Sequence, residues 1–114
     1  MKPAAFDYVR AESVGEALAA LADAGGEARV LAGGQSLGPM LNLRLAQPEV
    51  LVDIGFVPDF ARIDWDGAGV MVTAGVTQAA LLAHGRLAAK QPLLAEAMPW
   101  IGHVQTRARG TVCG

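Results

Sequence analysis

An apolar run at residues 50–54 constrains the fold of this chain more strongly than any other segment. Its sequence is VLVDI, with Pro48 two residues before it and Gly55 directly after it. A short run that lacks the alternation of a half-exposed strand is typical of a strand buried on both faces of a parallel sheet. Residues 50–54 therefore predict a parallel βαβ arrangement.

Patterns in residues 1–49 predict the other elements of that arrangement. Ser13 and Glu16 form a capping box that opens a helix, and the pair Gly25 and Gly26 ends it. The predicted elements are a short edge strand at 6–9, a helix from Val14 to about residue 24, a strand at 28–31 and a helix at 37–45. Strands and helices alternate, as in an α/β fold.

The second half of the chain has a different pattern. Residues 66–69, DGAG, predict the turn of an antiparallel hairpin, and Thr77 is a suitable helix N-cap. The predicted elements are hairpin strands at 61–65 and 70–74, helices at 78–84 and 93–98, and a loop at 101–114. We therefore expect an α/β (α+β) fold with a βαβ lobe at 1–56 and the beginning of a mixed, antiparallel lobe at 57–114.

Composition excludes several classes of function. The 114 residues include 9 Lys and Arg against 11 Asp and Glu, a net charge of −2, so no basic surface for nucleic acid is expected. No apolar run reaches the about 18 residues of a membrane span, and the N-terminus lacks the apolar segment of a signal peptide. A single cysteine cannot form an internal disulfide, which favours the cytoplasm.

Two glycine-containing loops are the main candidates for a binding site. Residues 32–36, AGGQS, directly follow a predicted strand, and residues 109–114 are RGTVCG. Adjacent glycines let backbone N–H groups approach a phosphate, and Ser36 and Thr111 add hydroxyl donors. Neither loop matches the Rossmann or P-loop motif, and each alone also fits an ordinary tight turn.

The histidines and the cysteine do not form a recognisable catalytic or metal site. Cys113 has no second cysteine or histidine at the spacing of a zinc site. His84 is predicted to interact with the last carbonyls of a helix. His103 has no carboxylate near it in sequence, so positioning or capping is expected rather than catalysis.

The arginines and tryptophans leave alternatives open. Arg107 and Arg109 either offset the charge of a phosphate or lie in solvent or an interface. Trp65 and Trp100 are expected to pack in the protein or to contact another subunit.

Several motifs follow one another along the chain in a specific order. They are F-x-Y at 6–8, S-x-x-E-A-L at 13–18, LAGGQSLGPMLNLRL at 31–45, PEVLVDI at 48–54, GVT at 75–77 and IGH-x-Q-x-R-x-RGTVCG at 101–114. In this order the chain resembles the FAD-binding medium subunit of molybdenum hydroxylases, the family of carbon monoxide dehydrogenase and xanthine dehydrogenase. The resemblance covers nearly the whole chain.

The resemblance implies a PCMH-type FAD-binding fold, shared with vanillyl-alcohol oxidase, in which FAD lies between two lobes. The FAD-binding residues that it implies are Ala32, Gly33, Gly34, Gln35, Ser36 and Leu37 in the first loop and Thr111, Val112, Cys113 and Gly114 in the second. It implies no catalytic residue and no metal ligand in this chain. Family members commonly have glycine where this chain has Cys113, so the thiol is expected to point away from the phosphate or to narrow the pocket.

The resemblance also implies electron transfer. In similar enzymes a molybdenum cofactor in a large subunit hydroxylates the substrate, and electrons pass through two [2Fe–2S] clusters in a small subunit to FAD and then to an external acceptor. The expected assembly is a dimer of heterotrimers. Because family members are longer, the lobe at 57–114 is expected to be truncated. The 114 residues alone are expected to be inactive and to bind FAD poorly or not at all.

Two other functions stay open at this point. The glycine loops also suit a non-redox module that binds a nucleotide or another phosphorylated ligand. A truncated module that only contacts partner subunits is the second alternative.

Overall fold

Three parallel strands form the sheet of the first half of the chain. The computed structural model describes residues 1–67 and 69–114. Strands β1 (Asp7–Arg10), β2 (Ala28–Leu31) and β3 (Val50–Asp53) pair in the order β1-β3-β2. Both outer strands run parallel to β3, which confirms the predicted parallel sheet and the edge position of β1. Leu51 and Val52 point to opposite faces and are 2% and 0% exposed, because both faces of β3 are covered.

Helix α1 (Val14–Ala24) packs on β2 and β3. Its start confirms the predicted cap: the Ser13 hydroxyl accepts a hydrogen bond from the Glu16 N–H at 3.1 Å. The Glu16 carboxylate in turn accepts from the Glu12 N–H at 2.8 Å. Gly25 ends the helix with a φ of 59°, a left-handed conformation that glycine adopts without steric cost.

Helix α2 (Leu37–Asn42) is shorter than the predicted helix at 37–45. Arg44 has a φ of 56°, which a right-handed helix cannot contain. The N–H groups of Leu45 and Ala46 both donate to the Met40 carbonyl, at 2.9 and 3.2 Å. The chain therefore turns back after residue 42, three residues before the predicted helix end.

Strands β4 (Ile63–Asp66) and β5 (Gly69–Val72) form the antiparallel hairpin that the turn residues predict. Arg62 and Thr73 extend the pairing beyond the strands, since the Thr73 N–H donates to the Arg62 carbonyl at 3.1 Å. Ala68, which belongs to the predicted turn, lies outside the described residues.

Four short helices follow the hairpin. They are α3 (Gln78–Leu82), α4 (Leu87–Lys90), α5 (Pro92–Ala97) and α6 (Val104–Arg109), with a 3₁₀ turn at Met98–Trp100 between the last two. Thr77 caps α3 as predicted, by accepting from the Ala80 N–H at 3.1 Å. No helix within residues 1–67 and 69–114 combines the length and the apolar character that crossing a membrane requires.

The prediction of a loop throughout 101–114 is wrong, because residues 104–109 are helical. Helix α6 packs against α3, and its residues show no apolar periodicity from which it could be recognised. Helix α4 was also not predicted. Both helices span six residues or fewer, so tertiary contacts rather than local propensity must stabilise them.

Two groups of buried side chains form the core. The first contains Ala11, Ala17, Val52, Ile54 and Val57 and lies on the parallel sheet. The second contains Val76, Leu81, Leu87 and Met98 and lies between the hairpin and the helices. Phe60 and Ala74 pack against the first group although they follow residue 56. The division into lobes at 1–56 and 57–114 stays a prediction.

We expect the titration of Tyr8 to report the pairing of β1 with β3. Tyr8 is the only tyrosine, and its hydroxyl donates to Asp53 Oδ2 at 2.5 Å. This hydrogen bond is the largest cause that raises the pKa of Tyr8, and desolvation adds to it. An ultraviolet titration of the folded chain should therefore show ionisation above the ordinary tyrosine value of about 10. The stabilising effect is complete below the pKa of the unfolded chain and is lost as pH rises through the folded pKa.

Asp53→Asn should lower the midpoint of that titration, because the amide carries no charge. The matched control is Asp64→Asn on β4, an exposed carboxylate that makes no contact with Tyr8. An identical tyrosine midpoint in the Asp53 and Asp64 variants would contradict the assigned interaction.

Candidate functional site

A cavity of about 690 Å³ lies where the two glycine loops meet. Nine of the ten site residues that the sequence suggests line it: Ala32, Gly33, Gly34, Gln35, Ser36, Leu37, Thr111, Cys113 and Gly114. The tenth, Val112, is not in the lining, and its N–H donates to the Val76 carbonyl at 3.0 Å. Loops that are about 75 residues apart in sequence thus form one concave site.

Backbone pairing brings the second loop to this position. Thr111 forms an isolated antiparallel bridge with Thr77. Next to the bridge, the Gln78 N–H donates to the Gly110 carbonyl at 2.8 Å. The start of helix α3 therefore anchors residues 110–112 beside the carboxyl end of the parallel sheet.

Gly33 allows the two loops to touch. A Cβ at Gly33 would overlap the Arg109 carbonyl oxygen and would lie 2.9 Å from both Gly110 Cα and the Thr111 nitrogen. The atoms that exclude a side chain here belong to the backbone, so they cannot move away as a flexible side chain would. The absence of a Cβ at Gly33 thus serves the contact between the loops, and the sequence alone had suggested only approach to a phosphate.

The first loop presents backbone donors to the cavity. In the part of the chain that the structure describes, the N–H groups of Gly34, Gln35 and Ser36 make no hydrogen bond. Gly34 has a φ of 69°, and its carbonyl accepts from the Gly38 N–H at 2.8 Å, which closes the turn. Successive N–H groups around a left-handed residue form a concave anion site, and this is what residues 34–36 can provide.

Side chains of both loops make hydrogen bonds, two local and one to the hairpin. The Gln35 amide donates to the Gly33 carbonyl at 3.2 Å, and the Thr111 hydroxyl accepts from the Gly114 N–H at 3.1 Å. The Cys113 thiol donates to the Val72 carbonyl at 3.4 Å and is exposed. The first two contacts lie within a single loop each, and the Cys113 contact ties the second loop to strand β5.

The charge of the lining suits an anion. Arg29 is the only charged residue in it, and no Asp or Glu contributes. The Arg29 guanidinium donates to the carbonyls of Ala28 and Gly26, at 2.8 and 3.2 Å, so it is held at the edge of β2. Within the described residues, no three His, Cys, Asp or Glu side chains come together as a metal site.

Half of the lining was not anticipated from the sequence. The additional residues are Arg29, Val30, Met40, Ile54, Ala74, Gln78, Ile101, Thr106 and Gly110. Val30 and Ile54 lie at the carboxyl ends of parallel strands, where ligands of open α/β sheets usually bind, so this rule could have indicated them. Nothing in the sequence pattern places Ala74 or Gln78 next to residues 32–36.

Arg107 binds backbone carbonyls and does not line the cavity. Its Nη1 donates to the carbonyls of Pro99, Ile101 and Gly102, each at 3.0 Å. The sequence left open whether Arg107 offsets phosphate charge; in the structure its guanidinium holds the turn that carries Ile101 into the cavity wall. His103 is the N-cap residue of α6, but its side chain makes no capping bond.

Trp65 and Trp100 both lie outside the cavity. Trp65 packs against the second core group and donates to His84 Nε2 at 3.3 Å. His84 has a structural role, as expected, but its partner is the Trp65 indole and not a helix carbonyl. Its Nδ1 lies 3.3 Å from the Arg86 backbone nitrogen. Only one nitrogen of a neutral imidazole can accept at a time. Trp100 is 87% exposed and does not pack in the chain.

Comparison with known proteins identifies the family. The model of the family described as FAD binding domain in molybdopterin dehydrogenase matches residues 4–114. The chain belongs to this family. The match confirms the family that the motifs predict, together with its PCMH-type α/β fold and its FAD cofactor.

Individual relatives agree with this assignment. The 6-hydroxypseudooxynicotine dehydrogenase complex subunit alpha of Paenarthrobacter nicotinovorans is 46% identical over 114 residues, which cover 100% of this chain and 38% of that protein. The carbon monoxide dehydrogenase medium chain of Hydrogenophaga pseudoflava is 44% identical and covers 100% of this chain and 40% of that protein. The chain therefore spans about two fifths of the length of these relatives.

Solved structures have the same fold. A carbon monoxide dehydrogenase chain from Hydrogenophaga pseudoflava superposes with a TM-score of 0.95 at 44% identity, over 100% of this chain and 40% of that chain. Quinoline 2-oxidoreductase from Pseudomonas putida 86 superposes with a TM-score of 0.91 at 36% identity, over 97% of this chain and 39% of that chain.

Gly33→Ala should lower the free energy of unfolding by about 1–3 kcal/mol, because the new methyl group is forced into the backbone of residues 109–111. The matched control is Gly38→Ala in α2, where a Cβ meets no atom within 4 Å. The control should be neutral or stabilising by up to about 1 kcal/mol, because alanine favours a helix. Chemical denaturation measures both, and equal effects of the two substitutions would contradict the assigned contact.

Arg107→Met should lower the free energy of unfolding by about 1–3 kcal/mol, because three carbonyls lose a charged donor. Arg109→Met is the control, since that guanidinium makes no hydrogen bond within the described residues. Thermal unfolding followed by circular dichroism is the measurement. A loss of stability in the control as large as that in Arg107→Met would show that the three contacts are not responsible.

Proposed function

We propose that this chain binds the pyrophosphate of FAD between its two glycine loops and forms part of the flavoprotein subunit of a molybdenum hydroxylase. The observation that carries the proposal is the meeting of residues 32–37 and 111–114 at one cavity with unpaired backbone donors. The FAD-binding residues proposed are those ten positions. Val112 would contribute by holding its loop in place, through the hydrogen bond from its N–H to the Val76 carbonyl.

The cavity fits the phosphate-bearing part of such a ligand. A volume of about 690 Å³ lies within the range of about 300–1,000 Å³ that is typical of ligand sites. The lining combines unpaired N–H groups at Gly34, Gln35 and Ser36 with the single positive charge of Arg29. Because no carboxylate faces the cavity, a doubly charged pyrophosphate meets no like charge there.

The role of the chain is to hold and orient the cofactor. FAD supplies the capacity to accept and release electrons. The residues of this chain supply backbone donors at 34–36, a loop contact at Gly33 that fixes the spacing of the donors, and apolar wall surface from Val30, Ile54 and Ile101. The expectation that this chain contributes no catalytic residue belongs to the same proposal.

The assembly and the electron route belong to the same proposal. Relatives are named medium chain, medium subunit or complex subunit, which supports partner subunits of other sizes. We propose a large subunit with the molybdenum cofactor and a small subunit with two [2Fe–2S] clusters, assembled as a dimer of heterotrimers in the cytoplasm. Electrons would reach FAD from the clusters and leave to an external acceptor.

The test is a visible absorption spectrum of the intact protein that contains this chain, purified with its partner subunits, followed by identification of the released cofactor. We expect flavin bands and one FAD for each copy of this chain, together with iron and molybdenum in the complex. A colourless protein that also fails to take up added FAD would overturn the proposal and favour a non-redox or purely interacting module.

A further inference from the structure

One polar atom in the cavity wall has no partner. Gln78 Oε1 is buried from solvent and makes no hydrogen bond, and no other buried side-chain nitrogen or oxygen in residues 1–67 and 69–114 is in this situation. Buried polar atoms of folded proteins almost always have a partner, because an unsatisfied acceptor loses its hydrogen bond to water without replacement. The position of this amide therefore requires an explanation.

Gln78 lies at the junction of the two loops. It lines the cavity, and its own N–H donates to the Gly110 carbonyl at 2.8 Å. Two glutamine side chains lie close to Gly110: a Cβ built on it would be 3.4 Å from Gln35 Cγ and 3.8 Å from Gln78 Cδ. The Gln78 amide is thus held next to the backbone that joins the second loop to helix α3.

The fold does not need a polar group at this position. The bond that anchors the second loop comes from the backbone of Gln78, so any residue except proline could make it. An unbranched apolar side chain of similar length, such as methionine, would fill the same space without an unsatisfied acceptor. The amide therefore lowers the stability of the ligand-free chain. Buried polar groups without a partner are expected mainly at functional sites.

We propose that the Gln78 amide is a specificity-determining residue of the dinucleotide site, which accepts a hydrogen bond from a sugar or ribityl hydroxyl next to the pyrophosphate. This inference rests on the proposed function. A carboxamide oxygen needs a donor, and ionised phosphate oxygens offer none, whereas the hydroxyl groups on either side of a pyrophosphate do. The oxygen is buried in the ligand-free chain, and because the terminal torsion of glutamine is soft, rotation of the amide can turn it into the cavity.

The experiment compares Gln78→Met with a matched control in the intact protein. Gln47→Met makes the same chemical change at an exposed residue outside the lining, where the amide only donates to the nearby Arg44 carbonyl. For each protein the melting temperature of the FAD-free form and the dissociation constant for FAD are measured. We expect Gln78→Met to melt at the same or a higher temperature and to bind FAD about tenfold more weakly. The control should change neither value by a comparable amount.

Analogues of FAD that lack single ribose or ribityl hydroxyls identify the contact. One analogue should bind the wild-type protein more weakly than FAD but bind Gln78→Met equally well, because the two changes remove the same interaction.

The outcomes separate this inference from the proposed function. If wild-type protein binds FAD and Gln78→Met binds it equally tightly, or if the substitution lowers the melting temperature of the FAD-free form, only the role of Gln78 is overturned. If wild-type protein does not bind FAD, the proposed function fails, and the inference fails with it.

Discussion

The site depends on the direct backbone contact between Gly33 and residues 109–111. The first loop follows a parallel strand, and the second follows a short helix of the other half of the chain. Their approach leaves no room for a Cβ at Gly33. The bridge between Thr77 and Thr111 holds the second loop in register, so the spacing between the loops is set by backbone atoms on both sides.

This construction explains how a chain with a net charge of −2 can offer a site for an anion. The donors are N–H groups of Gly34, Gln35 and Ser36, whose partial charges are oriented by the turn and need no cluster of Lys or Arg. The three carbonyls at residues 99, 101 and 102 are bound by Arg107, which keeps Ile101 in the wall. Arg107 thus shapes the cavity wall, while Arg29 is the charged residue of the lining.

Much of the first half could be predicted from the sequence, because its signals are local. The capping box at Ser13 and Glu16, the glycines that stop α1 and the apolar run of β3 each act within a few residues. The elements of the second half were harder to predict from the sequence. Helix α6 has no apolar periodicity and is held by its contact with α3, and Arg107 reaches carbonyls five to eight residues away, which its sequence neighbours do not indicate.

The sequence by itself determined the βαβ order, the hairpin and the two loops whose motifs identify the family, since hydrophobic period, turn residues and motif order are all written along the chain. Only the tertiary structure decided that the loops share one cavity, that Val112 is outside its lining, and that Gln78 in the cavity wall has an unpaired amide oxygen. The physical reason is distance: these relations join residues that are tens of positions apart, and they exist only after the sheet and the helices have packed.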